Sequence, residues 1–477
     1  MIGLGRLTPV GGRARRSEGA DFPYALALLG AGAMFMEILD ATIVVTALPA
    51  IADDLGVAPL AASVVVTSYL ITLAVLIPLS GWVADRFGVR RVFLTAGLVF
   101  TIASAGCAFA PDLTTLVVMR VIQAAGGAMM VPVGRLGVLR TVQRAQLVRA
   151  IAYLTWPALI APVVAPVIGG LIVTHAHWRV IFAINIPIGI VGLAAAVAWC
   201  RPAPSSVGRR RLDVAGVVWT TSAVAAAMFA AQEVAADDPR WPVVIGGAIA
   251  AAVLGVIAVR RLLSAPEPLL DLGVLRVPSF ASVVGYGTVY RMAISAVPFL
   301  LPLMFQLQFG WSAVAAGTMV TALFAGNVVI KPLTTGLMRR WGIRTVLVVD
   351  LLASVMAFGA LAMLGPNTAG VVIAVVLVIS GALRSIGFSA YNTLAFADVD
   401  AAELGDANAL HAAVQELGSA FGVALGAVAV SLFASITVLP AEAYSATYLV
   451  LGVVMATCVL GALRLPRTAG AQAVGPG

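Results

Sequence analysis

Among the side chains that carry charge inside stretches that are otherwise apolar are Glu37, Asp40, Arg120, Arg291, Lys331, Asp350, Arg384 and Glu416. At the centre of a hydrocarbon layer each would cost roughly 2.5–3.5 kcal/mol, so each needs a partner or a task. Glu37 and Asp40 are three residues apart and share one helical face. Two carboxylates that close favour sharing one proton, while a nearby arginine favours its release. A carboxyl poised in this way can load and unload a proton as its surroundings change. Asp40 lies nine residues before Pro49, and Arg120 lies seven after Leu113. At about 1.5 Å per residue both sit roughly 10–14 Å below the same membrane edge, so they can meet. The triad Glu37, Asp40 and Arg120 is therefore the candidate proton-coupling site, the alternative being a permanent structural ion pair.

A second set of charges falls late in the chain. Arg384 and Glu416 lie at matching depths, and Arg291 lies near mid-membrane. Lys331 either faces a cavity or reaches back to the interface along its own stem. Asp350 is expected to pair with Lys331 or to sit in a wet vestibule. Arg291, Arg384, Glu416 and Lys331 are the candidate substrate-cavity residues. Bases outnumber acids in this half, so anionic or zwitterionic substrates stand beside cationic ones. His411 reads as a polar lining residue or a proton relay. His175 and His177 have no further ligand nearby in sequence, and no metal site is expected.

The elements that must position these residues are written in the composition. Of 477 residues 61% are hydrophobic and only 10% charged, with a mean hydropathy of +1.05, whereas soluble domains carry about 25% charged residues. Fourteen apolar segments are long enough to cross a bilayer as helices. They are 24–49, 60–83, 92–110, 113–138, 151–174, 180–199, 214–231, 242–262, 280–306, 313–335, 343–364, 369–391, 407–435 and 444–463. The first is too long for the core of a cleavable signal and reads as a retained helix. The fold class is thus an all-α integral membrane protein.

Arginine placement orients the bundle. With the N-terminus inside, 22 of the 29 basic residues fall in inside segments and two, Arg179 and Arg240, outside. The inside clusters include Arg140/Arg144/Arg149, Arg209–Arg211, Arg260/Arg261 and Arg339/Arg340/Arg344, whereas the outside loops carry Asp53, Asp54, Asp237 and Asp238. That is the positive-inside bias of a cell-membrane protein with both termini cytoplasmic. The same placement, short clusters between spans, argues against a nucleic-acid stripe. Cys107, Cys200 and Cys458 show no paired spacing and read as packing residues.

One pattern occurs twice. Arg86-Phe-Gly88-Val-Arg90, followed by Arg91, recurs as Arg340-Trp-Gly342-Ile-Arg344, 254 residues on. A unit used twice, each time after an apolar pair, is the mark of a transporter built from related halves. The expected organisation is a tail 1–23, a six-helix bundle 24–199, an inserted helix pair with linkers 200–279, a second six-helix bundle 280–463 and a tail 464–477.

The stretch Gly81-Trp-Val-Ala-Asp85-Arg86-Phe-Gly88-Val-Arg90-Arg91 resembles the signature loop of the major facilitator superfamily. Arg120 with Gln123, Gly126 and Gly127 is similar to that family's second motif. Pro157, Pro162, Pro166, Gly169 and Gly170 resemble the proline/glycine motif of its antiporters. Leu39-Asp40-Ala-Thr42 through Pro49 resembles the 14-helix drug:proton antiporter branch, the QacA/EmrB group. GGAMMVPVGRL and the run from Trp178 to Gly189 look closest to its MdtD-like members. The resemblance implies a major facilitator fold, a gating role for Gly81, Asp85, Arg86, Gly88, Arg90 and Arg91, and an antiporter motif at Pro162, Pro166, Gly169 and Gly170. Asp85 can cap a neighbouring helix start, while the arginines bind lipid headgroups and opposing helix ends. Plain positive-inside anchoring is the competing account of Arg90 and Arg91.

These observations exclude other classes. An ATP-driven pump needs a phosphate loop ending Gly-Lys-Ser/Thr, and the single lysine, Lys331, precedes Pro332. No nucleophile–base or metal constellation suggests an enzyme. The expectation is a monomeric secondary transporter whose partners are a small molecule, protons and membrane lipid, with no cofactor beyond the coupling proton. Export by proton antiport is the leading reading, and uptake of an anionic or zwitterionic metabolite by symport is the alternative.

Overall fold

The computed structural model describes residues 24–141, 147–200, 212–234, 239–400, 403–436, 440–466 and 469. The tail 1–23, the C-terminal tail past 466 apart from 469, Arg144, Arg209–Arg211, Asp237 and Asp238 lie outside the described residues, as do the side chains of Asp85, Arg140 and Arg149. Among the described residues the chain is helical with no strands, and each expected apolar segment falls on a helix or a bent helix pair; twelve of these are long and apolar enough to cross a membrane, thirteen with the bent pair, whereas the fifth offers the shorter apolar stretch Ile160–His175. The first half holds α1 (Tyr24–Leu55), α2 (Ala61–Ala84), α3 (Val89–Ala108), α4 (Leu113–Thr141), α5 (Leu147–His175) and α6 (Val180–Trp199). The insert is α7 (Val214–Val234) and α8 (Trp241–Ser264). The second half holds α9 (Pro278–Gln308), α10 (Ala313–Val329 and Lys331–Trp341), α11 (Ile343–Ala362), α12 (Gly370–Ala397), α13 (Leu404–Ile436) and α14 (Pro440–Arg464). The two parts of α10 meet at a 46° bend.

One boundary differs from expectation. The helix of α1 does not end at Pro49 but runs on to Leu55 with Pro49 inside it. Neighbouring helices tolerate a proline within a span, and the extension has a use. Asp54 accepts hydrogen bonds from Trp178 Nε1 at 3.0 Å and Arg179 Nη1 at 2.7 Å. Arg179 Nη2 also donates to Ala110 O at 3.0 Å, so the ends of α1, α3 and α6 are tied together. His177 approaches the same carboxylate at 3.4 Å, and so belongs to this latch.

The halves repeat each other helix by helix. In the first, α1 packs on α5, α3 on α4 and α6, and α2 on α4; in the second, α9 packs on α13, α11 on α12 and α14, and α10 on α12. The halves meet along two seams, α5 with α10 and α2 with α13, while α7 and α8 pair outside and α7 touches α2 and α13. The repeated sequence pattern is a repeated structure. Gly88 and Gly342 each end one helix and begin the next at φ of +82° and +76°, backbone that a Cβ would strain. Arg90 Nη2 then donates to Val197 O at the end of α6 (3.3 Å), and Arg344 Nη2 to Leu463 O at the end of α14 (2.8 Å). Both arginines therefore cap the C-terminal carbonyls of an opposing helix, where a cation is favoured. Arg86 and Arg91 are exposed, and Gly81 faces open space.

Candidate functional site

Between the halves lies a cavity of about 420 Å³ whose walls come from α1, α2, α5, α9, α10, α12 and α13. Pro162, Pro166, Phe299, Phe324 and Phe388 give it apolar walls, and Arg291, Lys331, Arg384 and Glu416 project charge into it. The four candidate substrate-cavity residues all stand in the wall of this cavity. Arg291 donates from Nε to Ser419 Oγ at 2.7 Å and lies 5.1 Å from the Phe388 ring centre. Arg384 stands 5.5 Å from the Phe324 ring. Lys331 turns into the cavity rather than to the interface and donates to Ser389 Oγ at 2.8 Å.

Asp350 departs from expectation. It does not pair with Lys331 and is not in the cavity wall. It is buried in α11 with neither carboxylate oxygen hydrogen-bonded among the described residues. The lack of a side chain at Gly387 makes room for it: a Cβ there would stand 2.4 Å from Asp350 Oδ2 and 2.5 Å from Tyr290 Oη. His411 binds Asn392 Oδ1 through Nε2 at 2.8 Å and is not part of the wall.

The first-half charges form a separate, buried network beside the cavity. Asp40 and Arg120 are in direct contact, with 1% and 0% of their surfaces exposed. Asp40 Oδ1 also accepts from Gln123 Nε2 at 2.9 Å and from Asn185 Nδ2 at 2.7 Å. Arg120 donates from Nε to Val65 O at 3.1 Å and from Nη1 to Gln123 Oε1 at 2.7 Å, and its guanidinium lies 4.1 Å above the Tyr69 ring. Four helices (α1, α2, α4 and α6) thus converge on one ion pair. The sequence placed Asp40 and Arg120 at one depth, and the structure joins them. The part played by Asn185 was not foreseeable, because a residue 145 positions away announces its depth but not the way it turns.

Glu37 stands apart from this network. Among the described residues it has no hydrogen-bond donor. It lies beside Tyr69, since a Cβ on Gly127 would stand 3.1 Å from Tyr69 Oη and 3.6 Å from Glu37 Oε1. Its neighbour in sequence, Ile38, lines the cavity, so α1 carries Glu37 close to the cavity wall.

The proline/glycine segment of α5 forms the face between this network and the second half. Its helix is continuous through Pro157, Pro162 and Pro166. A Cβ on Gly169 would meet Ile43 Cγ1 at 3.0 Å, and one on Gly170 the Ala313 carbonyl oxygen at 2.6 Å. Across the seam, a Cβ on Gly317 would stand 2.1 Å from Pro166 O, and Thr321 Oγ1 donates to Val163 O at 3.0 Å. The seam is therefore closed, backbone on backbone, toward the end with few arginines.

A two-fold repeated bundle of apolar helices around one central cavity, with charges inside it, defines a multi-pass membrane transporter. The chain belongs to the Major Facilitator Superfamily, whose family model matches residues 30–423. It is similar to a protein of Citrobacter koseri named "Putative multidrug resistance protein MdtD", with 35% identity over 408 residues and 84% of each chain covered. A protein of the same name from Escherichia coli O7:K1 is 34% identical over 411 residues, covering 84% of this chain and 85% of its own. Among solved structures, a POT family transporter in complex with 5-aminolevulinic acid superposes with a TM-score of 0.70 at 12% identity, over 92% of this chain and 94% of its own. A D-xylose-proton symporter gives 0.68 at 15% identity, over 94% and 99%. Both likenesses speak for the fold.

Proposed function

We propose that this secondary transporter exports small molecules from the cytoplasm in exchange for protons, by alternating access around the central cavity. The observation that carries the reading is a pair of carboxylates on α1, Glu37 and Asp40, the second bound to a buried cation, on the helix whose Ile38, Ala41 and Thr42 line the cavity, in a relative of multidrug resistance proteins. In this reading the arginine-rich end faces the cytoplasm of a cell membrane, and the cavity serves one substrate at a time. Arg120, Gln123 and Asn185 hold Asp40 in place, while Glu37, free of donors, exchanges the proton and signals its charge to Glu416. No cofactor or nucleotide takes part.

Proteoliposome flux with an imposed pH gradient tests both direction and coupling. Glu37→Gln is expected to abolish gradient-driven accumulation while leaving substrate binding within about threefold of the parent. Asp40→Asn is expected to lower both. Full driven transport by Glu37→Gln would remove the proton from helix α1 and move the site to Glu416. For orientation, reporters fused after residues 205 and 402 should read cytoplasm and one after 237 the outside. A reversed reading at any of the three would overturn the assigned topology.

Symport of an anionic or zwitterionic metabolite is supported by one observation, the excess of Arg291, Lys331 and Arg384 over the single wall acid Glu416. The same flux measurement separates the readings, because symport drives the substrate in the direction of the proton.

A further inference from the structure

The two halves differ at one place in a way that leaves space. In the second half, the ring of Tyr286 on α9 lies against α14. A Cβ on Gly461 would stand 2.3 Å from Tyr286 Cγ, Cys458 Sγ contacts Tyr286 O at 3.5 Å, and Arg464 Nη1 donates to Tyr286 Oη at 3.0 Å. The repeat register follows from contacts already described. Gly88 matches Gly342, and the carbonyls capped by Arg90 and Arg344 match Val197 with Leu463. In that register Gly32 stands where Tyr286 does, Gly192 where Cys458 does, Gly97 where Leu351 does and Gly189 where Met455 does. Leu351, Met455 and Cys458 are fully buried. At these four positions the first half has glycines where the second has side chains: Gly97 and Gly189 let α3 and α6 approach closely, a Cβ on Gly189 standing 2.1 Å from Thr101 Oγ1, while Gly32 and Gly192 leave space.

The result is an apolar groove of about 260 Å³ between α1, α3 and α6, walled by Leu29, Met36, Phe93, Met130, Leu193 and Trp199. A Cβ on Gly32 or Gly192 would meet nothing within 4 Å. The groove opens outward, for Leu28 and Val191 on its rim are 54% and 69% exposed. At its arginine-rich end stands the guanidinium of Arg90, held to Val197 O, with the Trp199 ring one half-turn on.

We propose that this groove holds one acyl chain of an anionic phospholipid, taken from the leaflet at the arginine-rich end, with its phosphate at Arg90. Three observations favour a lipid over other occupants. The groove faces the bilayer, its lining is apolar along its length, and Arg90 sets a cation at its arginine-rich end, the level where a headgroup lies. The tryptophan at the mouth suits the interfacial zone.

Native mass spectrometry of the full chain, purified in detergent and given palmitoyl-oleoyl phosphatidylglycerol or the matching phosphatidylcholine, tests this. The parent is expected to retain one phosphatidylglycerol at collision energies that strip the remainder. Gly32→Leu and Gly192→Leu, each of which puts a side chain into open space, should reduce that retention at least tenfold. Arg90→Gln should erase the preference for phosphatidylglycerol over phosphatidylcholine. Gly246→Leu serves as the control, because Gly246 also faces open space but lies on α8, and it should retain lipid like the parent. Thermal unfolding of each variant, expected within a few degrees of the parent, separates a filled groove from a failed fold. Undiminished retention by both leucine variants would overturn the proposal, as would equal loss in Gly246→Leu.

Discussion

Arg120→Ala is expected to destabilise the protein by about 3–5 kcal/mol, the cost of leaving one member of a buried ion pair without the other. Arg120 is fully buried and joins Asp40, Gln123 and the Val65 carbonyl in one network. Its loss strands a carboxylate that Gln123 and Asn185 alone must hold. Thermal unfolding in detergent, followed by fluorescence-detected size exclusion, should show a fall well beyond that of any single change at the cavity wall. The double change Asp40→Asn/Arg120→Gln should recover much of the stability, since two neutral amides can still hydrogen-bond. Recovery of gradient-driven transport as well would show that the pair is structural and that no proton passes there. A single Arg120→Ala variant as stable as the parent would mean that the network does not hold these helices together.

Gly317→Leu is expected to abolish transport with the fold intact. Its Cβ would stand 2.1 Å from Pro166 O, so the α5–α10 seam cannot close over it. Overpacking of this kind costs roughly 1–3 kcal/mol, enough to move a two-state equilibrium by a factor of about 5 to 150. The population should shift toward the state open at the arginine-poor end. Maleimide labelling of a cysteine introduced at Thr46, which borders that end of the cavity, should rise as flux falls by at least tenfold. Gly336→Leu, on the same helix but facing open space, should do neither. Normal flux in Gly317→Leu would show that the seam does not need to close.

The spans were legible because the bilayer imposes a length and a polarity that composition records directly, and the repeat was legible because it fixes a backbone shape only glycine adopts freely. The meeting of Asp40 with Arg120 was legible because residue counts convert to depth. Depth, however, says nothing of azimuth. Lys331 and Asp350 lie at comparable depths yet on different faces, and Lys331 meets Ser389 of α12 instead. The same limit hid Asn185. The run of α1 past Pro49 was hidden for a different reason: proline stops a helix in water, but within a bundle its neighbours carry the chain through. The open space at Gly32 and Gly192 could not be read until the second half supplied side chains at the matching positions.

The inserted pair has a mechanical consequence. Gln232 of α7 donates to Ala61 O at 2.7 Å, in the first half, and Ser431 of the second half reaches Val234 O at 3.5 Å. Val224 and Met228 pack with Ala424, Leu417 and Phe421 of α13 and with Ile71 of α2. The α2–α13 seam is therefore strapped from outside, while the α5–α10 seam has no such cover among the described contacts. Any parting of the two halves must therefore strain or break these outer ties along the α2–α13 seam, a restraint that the α5–α10 seam does not carry.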